Sequence, residues 1–233
     1  MRAIRLSFFQ MMKFIRHDMM LFAAGMVPLL AGTAIHCGVP LLEKSLIRFT
    51  GLSSVLSPYY GLFDIFFASI APAMFCFIAA MIILEEHDDH IDRYLFVTGL
   101  GRKGYFVSRI VIPALAAFVV TAALLPVFRL TALSVGIIIF LSLTGTLQGI
   151  IIALLIVTLS SNKLEGMAVT KLSTLIILGA VVPHFIPAPF CFFLFFLPSF
   201  WMGIAIRNGS IVYMLLSVLI SSIWIMILQA KWK

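Results

Sequence analysis

Glu85-Glu86-His87-Asp88-Asp89-His90-Ile91-Asp92-Arg93-Tyr94-Leu95-Phe96-Val97-Thr98-Gly99-Leu100-Gly101-Arg102-Lys103-Gly104-Tyr105 interrupts an otherwise apolar chain. It carries five of the nine acidic residues in a sequence of 233. Charges at that density need water, so the stretch lies outside hydrocarbon and connects two segments that lie within it.

Outward from this break the composition is that of an integral membrane protein. Mean hydropathy is +1.18, with 63% hydrophobic and 11% charged residues, against about 25% charged in an average soluble domain. A membrane-spanning helix takes about 20 mostly apolar residues. Six runs of that kind occur, at 19–37, 60–84, 110–128, 133–159, 169–186 and 211–228. None alternates with period two, which excludes the strands of a β-barrel. The predicted fold class is all-α: a polytopic membrane protein with six transmembrane helices, read as one transmembrane domain over 1–233.

The net charge of +7 does not point to nucleic acid, because the basic residues are dispersed at helix ends and form no stripe. Membrane topology explains them. With the N-terminus cytoplasmic, twelve Lys and Arg fall on inside segments, and four (Lys44, Arg48, Arg129 and Arg207) fall outside. The positive-inside rule therefore predicts both termini, and the 85–105 segment, in the cytoplasm.

The flanking segments give further expectations. In residues 1–17, Ile4, Phe8, Met11, Met12 and Ile15 recur at helical spacing, with Arg2, Arg5, Lys13 and Arg16 largely elsewhere. This predicts an amphipathic helix lying in the headgroup layer. The basic region runs to Arg16 with no small-residue cleavage site after it, so the first span is expected to be retained. Residues 38–59, with Pro40, Gly51 and Pro58, read as an outer loop, and Arg129 in the tight 126–131 connection is placed to snorkel. Pro183, Pro187 and Pro189 stop the fifth run, and the apolar residues after them are too few to cross. Residues 187–206 are therefore expected to be re-entrant or interfacial. Three scattered cysteines form no disulfide framework or zinc spacing; Cys37 and Cys191 both fall toward the outer face and are expected to be free thiols.

Two polar groupings invite chemistry. Thr144, Thr146 and Gln148 sit among Gly136, Gly145 and Gly149; Gly145 and Gly149 make a small-xxx-small face, for which close helix packing is the favoured reading and a polar pathway the sharper one. His87-Asp88-Asp89-His90 contains ligand types for a divalent metal, but a solvated helix end explains it better, with the acids at the N-terminus of a short helix. The chain has no phosphate-binding loop, Gly-x-Ser-x-Gly elbow or His-Glu-x-x-His pair, so it is not expected to be an enzyme. Asp64 is the isolated carboxylate that a proton-driven transporter would use.

The second run leading into Glu85-Glu86, then Tyr94-Leu95-Phe96-Val97-Thr98-Gly99-Leu100-Gly101-Arg102-Lys103-Gly104-Tyr105, resembles the coupling-helix region of type-two ATP-binding cassette exporter permeases. Gly99 stands where that pattern usually has proline, which makes the turn less rigid. Ser161-Asn162-Lys163-Leu164-Glu165-Gly166 followed by Lys171 resembles a second cytoplasmic pattern, that of the fluoroquinolone-exporter-like permeases, and the resemblance extends over nearly the whole chain. It implies an exporter permease in a bacterial inner or plasma membrane, paired with a second permease copy and driven by separate cytoplasmic ATPase subunits. ATP and Mg would bind those subunits, with no cofactor on this chain. It also implies roles: Glu85 and Glu86 anchor the turn, Tyr94, Leu95, Phe96 and Leu100 form an apolar docking face, and Arg93, Arg102 and Lys103 pair with acids of the ATPase. The competing readings are a membrane scaffold or immunity-type protein using the same segment, and a secondary transporter using Asp64, for which no inverted repeat is visible. Spans rich in Phe and Leu suit a hydrophobic or amphipathic cargo, and suit lipid equally.

Overall fold

In hydrocarbon every backbone N–H and C=O must find its partner within the protein, so long apolar runs have to coil. A computed structural model describes residues 2–51, 53–98, 100–186 and 194–232, with side chains from residue 6 onward, and these residues form helices joined by turns. Five stretches among them are long and apolar enough to cross a bilayer: Met19–Thr50, Ser57–Asp88, Gly101–Phe128, Val135–Leu159 and Ile211–Lys231.

Helix α1 (Arg2–His17) is followed by Asp18, which accepts hydrogen bonds from the Met20 and Leu21 amides and so caps α2 (Met19–Thr33). A π-helical turn over Ala34–Gly38 joins α2 to α3 (Val39–Thr50) without a break. Gly51, at φ 70°, then ends the helix in the left-handed region. The outer loop expected from residue 38 thus begins only at 51. Pro40, expected in that loop, lies in the first turn of α3, where the wider π turn just before it gives its ring and missing N–H room inside the helix. The same device recurs between α6 (Gly101–Phe106) and α7 (Ile112–Phe128), where a π turn at Val107–Val111 precedes Pro113.

Between them run α4 (Tyr60–Asp88) and the short α5 (Ile91–Val97). Helix α4 and the later α8 (Val135–Leu159) form the centre of the bundle, and both bury most of their length. Pro72 lacks an N–H, which leaves the Ala68 carbonyl without its helical partner. A side chain on Gly145 would collide with that carbonyl, and one on Gly149 would meet the Pro72 carbonyl and Cys76 Sγ at 3.0 Å. The two glycines of α8 therefore let it approach α4 at the point where Pro72 opens the backbone.

The predicted span at 169–186 is not one helix. It comprises α9 (Lys163–Ser173), α10 (Leu175–Leu178) and α11 (Val182–Phe185). The turns between them are closed by bonds from Ile177, Gly179, Ala180, Val181 and His184 to the carbonyls three residues earlier. Such tight turns leave carbonyls poorly satisfied, and α12 (Pro198–Asn208) supplies donors: Ser199 Oγ donates to the Ile176 carbonyl and the Arg207 guanidinium to the Pro183 carbonyl. Gly179 and Gly203 make the approach possible, since a Cβ on either would strike Ser199 Oγ or the Ala180 carbonyl. Helix α12 is too short to cross alone. Helix α13 (Ile211–Lys231) closes the chain along α8 and α12.

Helix α1 also packs on the bundle. Met11 is buried, and Phe8 and Ile15 pack with it against the bundle, while Leu6, Phe9 and Met12 face outward. Of the cysteines, Cys76 is buried and Cys37 exposed as free thiols; Cys191 and residues 187–193 of the expected re-entrant element lie outside the described residues.

Candidate functional site

The acids at the start of the opening stretch occupy the last turns of α4. The expected N-terminal position holds only for Asp92, in the first turn of α5. A helix C-terminus disfavours negative charge, and three sets of partners offset it. Glu86 receives both Nε (2.9 Å) and Nη2 of Arg109, and the Tyr105 hydroxyl at 2.8 Å. Arg109 is 2% exposed, and its Nη1 donates to the Ser7 carbonyl of α1 at 2.9 Å, so one ion pair binds α4, the α6–α7 helix and α1 together. Lys163 Nζ lies 2.6 Å from Glu85 and 3.2 Å from Asp18, while its backbone N–H donates to Asp88 at 3.0 Å. That cation joins the starts of α2 and α9 to the end of α4. Third, His87 Nδ1 is 2.9 Å from Asp92, across the sharp turn at His90, whose φ is 57°. A His87 ring held this way is poorly placed to join His90 on a metal.

Lys163 and Asp18 titrate accordingly. Burial lowers the pKa of the Lys163 ammonium, but hydrogen bonds and attraction from Glu85 and Asp18 more than reverse this and raise it. Burial works upward on the Asp18 carboxyl, yet the Leu21 amide, Lys163 and the Met20 amide together hold it below its ordinary value.

These ties fix α5, and they divide the residues expected to act together. Leu95, Phe96 and Leu100 are half-buried against the chain's own core; Phe96 packs edge-to-face on Tyr105 at 5.2 Å and carries the Arg102 guanidinium over its ring. Tyr94 is 72% exposed, with Arg93 and Lys103 also in the open. Val97, 84% exposed, and Ile91 join Tyr94 on the outward side. They went unnoticed in the sequence because position in a seven-residue helix, not residue type, decides which apolar groups face out. The three-residue spacing of Ile91, Tyr94 and Val97, which puts them on one side of a helix, was the available signal. Arg109 and Lys163 were also missed as partners, although a lone arginine just inside an apolar run is a signal of a buried pair.

The polar residues of α8 do not converge on one another. Thr144 Oγ1 donates to the Phe140 carbonyl of its own helix, and Gln148 Nε2 approaches Met202 Sδ of α12 at 3.2 Å. Gly145 and Gly149 lie on the α4 seam. Asp64 is 1% exposed and accepts from the Leu130 and Thr131 amides at 2.8 and 3.0 Å and from the Thr131 hydroxyl. It staples the turn between α7 and α8, which is a different task from carrying protons.

Long apolar helices around a close glycine-lined seam, gathered at one end by interhelical ion pairs, have the architecture of a polytopic membrane protein. Residues 11–229 match the family model described as fluoroquinolones export permease protein Rv2686c-like, and the chain belongs to that family. No curated protein and no solved structure matches it.

Proposed function

We propose that the chain is the membrane subunit of an ATP-binding cassette exporter, working as a pair of permease copies driven by two separate ATPase subunits that hold ATP and Mg. In this reading the chain crosses the membrane six times. The crossing added to the five long apolar stretches is the fifth in chain order, the broken path through α9, α10 and α11: Lys163 pairs with Glu85 at one end, and Phe185 stacks on Tyr59 at the other, 5.4 Å between rings. Residues 194–208 then dip partway in as a re-entrant element. Trp224, deep in α13, donates to the Phe196 carbonyl, while Arg207 returns to Pro183. The twelve-to-four division of basic residues puts the Glu85 end and both termini in the cytoplasm. The family name directs the reading to export, and the apolar spans fit a fluoroquinolone-like or other amphipathic cargo.

The observation that carries this proposal is α5, a short helix held by the Asp92–His87 contact and by the packing of Leu95 and Phe96 on the core, which turns Arg93, Tyr94 and Val97 outward. A rigid lever with an exposed aromatic and a cation on its face is suited to receive force from a partner. Moving the assembly between 1:99 and 99:1 requires roughly 5.5 kcal/mol of differential binding, which α5 would pass through Glu86 and Arg109 into α4, α7 and α1. The test is co-purification from native membranes with Arg93, Tyr94 and Val97 all changed to alanine. An ATPase subunit that accompanies wild type and is lost from this variant supports the proposal. A permease that recovers no ATPase, or recovers it equally in both forms, contradicts it.

A further inference from the structure

A partly open cavity of about 450 Å³ lies beneath α5 and α6, at the level where α4, α8 and α13 end. Its inner wall is hydrocarbon, supplied by Ile83, Leu84 and Val157, with Phe96 and Trp232 closing the sides. Its rim is cationic. Arg102 and Lys231 line it, and neither has an acidic partner among the described residues; Arg102 only covers the Phe96 ring. Asp92, the acid of the lining, is already held by His87 and by the Arg93 amide at 2.7 Å. Ser160 also lines the space, and its hydroxyl is buried with no partner. A buried hydroxyl without an acceptor costs free energy unless a ligand completes it.

An apolar wall below two unpaired cations and a free hydroxyl, where the long apolar helices α4, α8 and α13 end, matches one chemistry: a phosphate ester carrying acyl chains. We propose that this cavity binds the headgroup of an anionic glycerophospholipid, with Arg102 and Lys231 on the phosphate and the Ser160 hydroxyl donating to it. The space holds the headgroup and the first chain carbons, and the rest of the chains lie along the exposed Ile223, Met226 and Ile227 of α13. The binding does not depend on the exporter reading and is tested without transport.

The full-length chain, delipidated in neutral detergent, is titrated with phosphatidylglycerol, with phosphatidylcholine of the same acyl chains, and with inorganic phosphate, following bound lipid by native mass spectrometry. One phosphatidylglycerol per chain is expected to bind roughly thirty-fold more tightly than phosphatidylcholine, two surface cations contributing about five-fold each. The double variant Arg102→Gln, Lys231→Gln should lose most of that preference, and Lys103→Gln, an exposed neighbour outside the cavity lining, should keep it. If the double variant does not fold, each single variant carries the test through its own five-fold loss. Equal affinity for the two lipids, or a preference that survives the substitutions, overturns the proposal. Displacement of phosphatidylglycerol by millimolar inorganic phosphate would assign the site to free phosphate and overturn it as well.

Discussion

The two ends of the bundle use their carboxylates differently. At one end Asp64 and Glu43 hold backbone: Asp64 takes the amides of the α7–α8 turn, and Glu43 takes the Ser57 amide and the Tyr60 hydroxyl at the start of α4. At the other end Glu85 and Glu86 hold side chains that belong to different helices, Lys163 and Arg109. A carboxylate on the amides of a turn shapes that turn, even when, as with Asp64, it reaches there from another helix. A carboxylate on a distant cation ties two helices through their side chains, the arrangement suited to carrying the proposed displacement from α5 into the spans.

The largest effect is expected where that coupling is most buried. The Arg109 side chain is 3% exposed and that of Glu86 14%, so Glu86→Ala leaves a buried guanidinium uncompensated, at a cost of about 3–5 kcal/mol. Thermal unfolding in detergent should show it, and proteolysis should show α1 released, because Arg109 also binds the Ser7 carbonyl. Replacing both partners by apolar residues, Glu86→Leu with Arg109→Met, should recover most of the stability. In the proposed exporter that double variant would still lose coupling, which would separate the two roles of the pair. A double variant as unstable as the single one would show that the pair holds the fold by hydrogen bonds its replacements cannot supply.

At the opposite end, Asp64→Ala should cost about 1–3 kcal/mol, the penalty of orphaning the part-buried donors at Leu130 and Thr131. The loss should stay local: ATPase recovery by the folded fraction is expected to match wild type. A drop in recovery would mean that the Asp64 end also transmits force, and the contrast between the ends would fail. Gly145→Ala belongs in the same range, about 1–3 kcal/mol for overpacking, because its methyl would meet the Ala68 carbonyl and push α8 from α4.

These contrasts were unevenly legible in the sequence. The spans at 60–84 and 133–159 could be read directly because buried helices are apolar all round, and the charged break after Leu84 marked where α4 leaves the bilayer. The first span was ended at Cys37, inside the π turn, because a π turn leaves no residue signature. The run at 169–186 was read as one helix because its turns of three-residue spacing are as apolar as an α-helix, and their dependence on Ser199 and Arg207 is long-range. The stretch around α5 could be located but not oriented. Leu95 and Phe96 resemble Tyr94 and Val97 in chemistry, and only the rotation of a short helix, set by the His87–Asp92 contact and the Phe96–Tyr105 packing, assigns the first pair to the core.

The smallest expected effect sharpens the comparison through pH. Lys163, Asp18 and Glu85 have side chains about a quarter exposed, so Lys163→Met should cost no more than about 1 kcal/mol near neutrality. The sign of each shift sets the limits. Asp18 has its folded pKa lowered, so its contribution is present above roughly pH 4 and is lost as pH falls through the folded value. Lys163 has its folded pKa raised, so its contribution is complete below roughly pH 10 and is lost as pH rises through the folded value. Wild type minus Lys163→Met should therefore give a plateau in unfolding temperature between those limits that falls away at both ends. High salt should lower the plateau, because partly exposed charges are screened. The Glu86–Arg109 pair, being drier, should keep its effect in the same salt, and a pair that faded equally would place both networks at the surface.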